Sequence, residues 1–263
     1  MATGAEASPI LLGTIASLLA GLATALGALP ALVVRQVPER AQDVMLGFAA
    51  GVMLAASFFS LIIPGLEAAG SQGATAVGAV TLISVGILSC AACLWAINRF
   101  APHEHFITGR EGLDVQTLRR IWLFVIAITL HNFPEGLAVG VAFGGGDVSR
   151  GTALAIGIGL QNVPEGLAVA IALLTLQYSK MQVLAVVTAT GLVEPIGGFL
   201  GISAVTAAQS LLPWGLAFAA GAMIFVISDE VIPETHRRGF QTHGTAGLMV
   251  GLVVMMVLDV VFG

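Results

Sequence analysis

Polar residues vanish from this chain for about twenty positions at a time, gather for a few, and vanish again. Roughly 20 apolar residues are what an α-helix needs to cross a hydrocarbon core. Eight such runs stand near residues 10-34, 42-65, 73-99, 119-143, 151-176, 182-208, 213-236 and 244-262. The connections between them are short, the longest running from Phe100 to about Leu118. Nothing is left over for a soluble domain. The expected fold class is therefore an all-α membrane protein with eight transmembrane helices, residues 1-263 forming one transmembrane domain. The first run follows a leader with Glu6 and no basic residue, and it is too long for a signal-peptide core, so it is expected to remain as a helix.

Composition agrees with the pattern: 57% of residues are hydrophobic and only 10% charged, against about a quarter charged in soluble domains. The basic residues set the expected orientation. Arg35, Arg40, Arg99, Arg110, Arg119, Arg120, Lys180, Arg237 and Arg238 fall on the side of the first, third, fifth and seventh connections, whereas the other side holds only Arg150. Because basic residues favour cytoplasmic loops, both termini are expected outside. The net charge of -5 carries little information about partners, since much of the acidity lies inside the apolar runs. No nucleic-acid partner is expected.

Those internal acids carry the chemistry. His131-Asn132-Phe133-Pro134-Glu135-Gly136 and Gln161-Asn162-Val163-Pro164-Glu165-Gly166 occupy the middles of the fourth and fifth runs. The two stretches share Asn, Pro, Glu, Gly, Leu, Ala and Val in one register. A carboxylate at the bilayer centre costs roughly 3 kcal/mol on insertion scales, so such a residue needs a functional reason. Consecutive spans cross in opposite senses, which makes the copies antiparallel and places them at one depth. His131 with Glu135, and Gln161 with Glu165, are four residues apart and share a helix face. Asn132 and Asn162 precede the same glutamates by three residues and flank them on the other side. The expectation is a pair of adjacent cation sites bridged by Glu135 and Glu165. Pro134 and Pro164 each remove a helical hydrogen bond, so a kink is expected at each motif.

Further polar residues extend the picture. Glu194, followed by Pro195, is a third intramembrane acid and reads as a ligand of the second site. Asp229 and Glu230, with Asn98, are candidates for a cytoplasmic exit path. Glu67 and Asp259, near the outer ends of the second and eighth spans, are candidates for an entrance. His103 and His105 in the longest loop suit loose metal capture. Cys90 and Cys93 form a C-x-x-C within an apolar span and read as packing residues on one helix face.

These motifs resemble the ZIP (Zrt/Irt-like) family of divalent metal transporters, in particular its bacterial GufA-like branch. The likeness extends over nearly the whole chain, through the two Asn-x-Pro-Glu-Gly phrases, Glu194-Pro195 and the Asp229-to-His236 stretch. It implies helices 1-3 and 6-8 as an inverted repeat around an antiparallel pair of helices 4 and 5. It implies a first site of His131, Glu135, Gln161 and Glu165 with Met53 as a soft ligand, and a second of Asn132, Glu135, Asn162, Glu165 and Glu194. Relatives with Asp at the position of Asn162, and with His at that of Asp229, differ from this chain. The resemblance further implies zinc uptake into the cytoplasm by elevator-type alternating access, a homodimer, and the cytoplasmic (inner) membrane of a bacterium. The donor set suits Zn²⁺ and also Cd²⁺, Fe²⁺ or Mn²⁺ as substrate; no cofactor is expected. A passive metal channel is the nearer alternative. An intramembrane zinc hydrolase is the more distant one, lacking any H-E-x-x-H, so the chain is not expected to be an enzyme.

Overall fold

The computed structural model describes residues 8–33, 37–100, 115–235 and 239–262. It is all-helical, and among these residues eight helices are long and apolar enough to cross a membrane. They are α1 (Pro9–Val33), α2 (Glu39–Ser71), α3 (Ala76–Phe100), α4 (Val115–Gly144), α5 (Val148–Thr175), α6 (Lys180–Ala207), α7 (Gln209–Thr235) and α8 (Gln241–Phe262). Every span expected from hydropathy is present, with ends within a few residues of expectation except for α2, which continues to Ser71.

On α1 small residues face inward and large ones outward, the inverse of a helix in a soluble bundle. On α1 the buried positions are Gly13, Ser17, Ala20, Gly21, Thr24, Gly27, Ala28 and Ala31, while Leu11, Leu19 and Leu26 are exposed. Leucine gains nothing from a protein interior when lipid is equally apolar, whereas a small inward stripe lets helices approach until backbones touch. Asp147 caps α5, its carboxylate accepting from the Arg150 amide at 3.0 Å. Ser179 and Gln182 form a reciprocal capping box at the start of α6.

Three backbone features escaped the hydropathy reading. In α6 the helix is interrupted at Leu192 and Val193 and restarts at Glu194. Pro195 explains this, because it has no amide to give the carbonyl of Gly191 and its ring crowds that turn. The other two are π-helical turns, Ser57–Ile62 in α2 and Ile227–Val231 in α7. Such turns insert an extra residue and tend to occur at functional sites. By contrast, α4 and α5 run without interruption through Pro134 and Pro164.

The helices sort into two groups of four. One comprises α1, α4, α5 and α6, whose main pairings are α1 with α5 and α4 with α6. The other comprises α2, α3, α7 and α8, paired chiefly as α2 with α8 and α3 with α7. Exchanging α1 with α6, α2 with α7, α3 with α8 and α4 with α5 converts each of these pairings into the other. This is the pattern of an inverted repeat.

The two kinds of seam differ in what touches. Within the first group, a Cβ on Gly136 would overlap the carbonyl oxygen of Glu194, and one on Gly166 that of Thr24. Within the second, Gly47 and Gly51 lie against the carbonyls of Gly244 and Leu248. Between the groups, glycines meet side chains instead: Gly157 meets Met255 and Val52, and Gly215 meets Val141.

Candidate metal centre

Where α4 crosses α5, the two motifs meet. His131, Asn132, Glu135, Gln161, Asn162, Glu165 and Glu194 are all buried. His131 Nε2 lies 3.2 Å from Glu135 Oε1 and 3.8 Å from Glu165 Oε1. Gln161 Nε2 donates to the same Glu135 Oε1. One ligand atom each from His131, Glu135 and Glu165 falls within 4.8 Å of the others. The four residues expected at the first site therefore stand together.

The second set is assembled through α6. Asn162 Nδ2 donates to Glu194 Oε1 at 2.7 Å and to the Ala20 carbonyl at 2.8 Å. Asn132 Nδ2 donates to the Thr190 carbonyl at 2.9 Å, in the last turn before the break in α6. With their amide nitrogens engaged by backbone, both asparagines are held with their oxygens turned elsewhere. Asn132 Oδ1, Asn162 Oδ1, Glu135 Oε2 and Glu194 Oε2 are buried with no hydrogen-bond partner among the described residues. Glu194 is also near enough to Glu135 and Glu165 to feel their charges.

Electrostatics then narrows what this cluster can do. Three acids are buried together, yet the sequence has no lysine or arginine from Ile121 to Gly144 or from Gly151 to Thr175. Burying a carboxylate costs several kcal/mol unless a counter-charge and hydrogen bonds offset it. A divalent cation supplies the charge, and acceptor oxygens beside an imidazole are the donors that zinc and its neighbours take. The group has the donors to hold a divalent cation.

The remaining candidates divide. Met53 is fully buried in an apolar cluster with Val52, Met223 and Met255. Glu67 is exposed and paired with Arg150 at 3.2 Å, so one of the two acids expected at an entrance already has a basic partner. Asp259 Oδ1 accepts from Ser60 Oγ at 2.6 Å; Ser60 sits in the π turn of α2, and nothing in the hydropathy pattern marked it. Asp229 is exposed in the π turn of α7. His103 and His105 lie outside the described residues, as do the side chains of Asn98 and Glu230. The cysteines are both free, but Cys90 is buried and Cys93 exposed. They are not the single packed face expected of them, because α3 turns Cys93 outward.

Asp43 is a fully buried acid on α2 that no sequence motif marked. Thr24 was missed as well. Its signal was available in the parallel phrases Gly21-Leu22-Ala23-Thr24 and Gly191-Leu192-Val193-Glu194, in the first and sixth spans.

Comparison with known proteins agrees with the geometry. The family model described as ZIP zinc transporter matches residues 101–259. A protein of Bordetella bronchiseptica named zinc transporter ZIPB is 48% identical over 241 residues, covering 92% of this chain and 78% of its own. Zinc transporter GufA of Myxococcus xanthus is 45% identical over 251 residues, covering 95% and 99%. Human zinc transporter ZIP11 is 34% identical over an alignment of 321 residues, covering 91% and 94%. Eight spans, the buried acids of α4, α5 and α6, and relatives alike along almost the whole of this chain lead to one conclusion: the chain belongs to the ZIP zinc transporter family, a family of transporters rather than enzymes.

Proposed function

We propose that this protein carries divalent transition-metal cations, chiefly Zn²⁺, across the bacterial cytoplasmic membrane and into the cytoplasm. The observation that carries the reading is the clustering of His131, Glu135 and Glu165 ligand atoms within 4.8 Å inside a membrane-spanning bundle. His131, Glu135, Gln161 and Glu165 hold the first cation, with Met53 on α2 as a further, soft ligand. Asn132, Asn162 and Glu194, with the two bridging glutamates, hold a second. Glu67 and Asp259 attract cations on the outer side, while Asp229, Glu230 and Asn98 receive them on the cytoplasmic side. His103 and His105 capture them in the loop. Cd²⁺, Fe²⁺ and Mn²⁺ are secondary substrates, and the protein works as a homodimer with both termini outside.

Alternating access of the elevator type is supported by the unlike seams. The ligand-bearing group is tied within itself by close main-chain contacts as well as side chains, whereas its glycine contacts with the other group are with side chains; this favours its sliding as a body. A passive channel requires no such division. The test is zinc entry into proteoliposomes that contain a zinc-sensing dye. Uptake is expected to saturate, to show counterflow and to disappear in Glu135→Ala and Glu165→Ala; unchanged uptake in both variants overturns the site, and linear uptake without counterflow overturns the carrier.

A further inference from the structure

One exchange relates four pairs of close contacts around the centre. Gly21 lies against the Gly191 carbonyl and Gly191 against that of Gly21. Gly27 lies against the Val163 carbonyl, as Gly197 does against that of Phe133. Gly166 meets the Thr24 carbonyl, as Gly136 meets that of Glu194. Asn162 donates to Ala20, as Asn132 does to Thr190. Each member converts to its mate by one constant offset between α1 and α6 and another between α4 and α5. A twofold axis therefore passes between α4 and α5.

Applied to the second cation site, the exchange maps it nearly onto itself. Asn132 trades with Asn162 and Glu135 with Glu165, so four of its five groups form two symmetric pairs. Glu194 alone has an unlike mate, which is Thr24. We propose that Thr24 is the sixth group of this site, presenting a neutral hydroxyl oxygen to the cation from the side opposite Glu194. The inference rests on the second site proposed above.

Three observations support it. Thr24 is fully buried, and its Oγ1 has no hydrogen-bond partner among the described residues. Threonines at 14, 129, 152 and 188 each return their hydroxyl to the carbonyl four residues back. For Thr24 that carbonyl is Ala20, which already receives the Asn162 amide. An unmade buried hydrogen bond is costly unless another partner takes its place.

The placement is also symmetric. A Cβ on Gly191 would stand 3.0 Å from Thr24 Oγ1, and one on Gly21 would stand 3.3 Å from Glu194 Cβ. Each side chain thus lies against a glycine of the other helix where α1 and α6 cross. Finally, the buried oxygens without partners, on Asn132, Asn162, Glu135 and Glu194, belong to the same set. With Thr24 they give an all-oxygen shell of the kind six-coordinate divalent cations adopt.

The experiment counts zinc bound to the purified full chain in detergent by equilibrium dialysis and elemental analysis. Wild type is expected to hold two ions per chain, and Glu194→Thr one. The exchange Thr24→Glu with Glu194→Thr is expected to restore the second ion, since it only moves the acid across the axis. Thr24→Val, which keeps the shape and removes the hydroxyl, is expected to weaken the second ion about tenfold, equivalent to one lost hydrogen-bond-sized contact, and to leave the first unchanged. An exchange variant that stays at one ion, or a valine variant with unaltered affinity for both, overturns the role of Thr24. Two ions retained by Glu194→Thr overturn the second site itself, and the role of Thr24 with it. Should the exchange variant not fold, the valine variant decides alone.

Discussion

The seams inside each four-helix group and the seam between the groups are built from different materials. Inside, many glycines of one helix rest on the main-chain carbonyl of the next, as Gly136 does on Glu194, Gly166 on Thr24 and Gly51 on Leu248, alongside side-chain contacts such as Gly13 on Ile202 and Gly86 on Ala217. Between the groups, Gly157 rests on the sulfur of Met255 and Gly215 on the side chain of Val141. Backbone contacts leave no side-chain torsions to adjust, so each group is stiff; thioether and valine contacts can be re-made at small cost when one face shifts over another. The centre of buried acids lies wholly in one stiff group. In the proposed sliding, a cation bound there would keep its carboxylate, imidazole and amide ligands and part only from Met53 on α2.

That contrast can be broken by substitution, and the effects should rank. The largest belongs to the ligands. Glu135→Ala and Glu165→Ala are expected to reduce zinc uptake in proteoliposomes to the level of empty vesicles, while leaving the fold intact by gel filtration. Next come the inner seams. Gly136→Ala and Gly166→Ala force a methyl against a carbonyl and are expected to cost about 1–3 kcal/mol, the usual range for overpacking, read as a lower melting temperature in detergent. Zinc uptake should fall as well, though no ligand is altered.

Smaller is the effect at the seam between groups. Gly157→Ala meets only the flexible end of Met255 and is expected to cost under about 1 kcal/mol, because methionine fills irregular gaps adaptably. Equal destabilisation by Gly136→Ala and Gly157→Ala would erase the distinction on which the sliding model depends. The smallest effect is at the rim. Arg150 and Glu67 form an exposed ion pair linking the two groups, and Arg150→Ala is expected to change stability by no more than about 0.5 kcal/mol. A sharp loss of stability there would show that the groups are bolted together at the outer face and do not slide.

Much of this was legible in the sequence for a definite reason. Hydropathy over a window reports whether a stretch can replace lipid, and all eight stretches that can do so are helices. The 131–136 and 161–166 phrases were legible because residues four apart must share a face, and neighbouring spans must run in opposite directions. What hydropathy cannot register is the hydrogen-bond register of the backbone. The interruption before Glu194 and the π turns at Ser57–Ile62 and Ile227–Val231 leave an apolar run just as apolar. Ser60 was hidden for the same reason, since its partner Asp259 is distant in sequence and only the π turn brings the two together. Thr24 was hidden more deeply. A lone threonine in an apolar helix ordinarily bonds its own backbone; the parallel with the 191–194 phrase was its one sign in the sequence, and the contact of Asn162 with Ala20 explains why this one does not.

The glycine-on-carbonyl contacts also bear on how the centre distinguishes ions by size. In most binding sites a larger guest is admitted by rotating a side chain, and discrimination is local and soft. Here the distance from α4 to α6 at Gly136, and from α5 to α1 at Gly166, is a sum of atomic radii along the main chain. An ion too wide for the cage has to push whole helices away from each other over several turns at once. Radius would then be measured by the whole helix pair, and a substitution one turn from the proposed ligands, at Gly140 against Gly198, is expected to reset the gauge as well as one beside them.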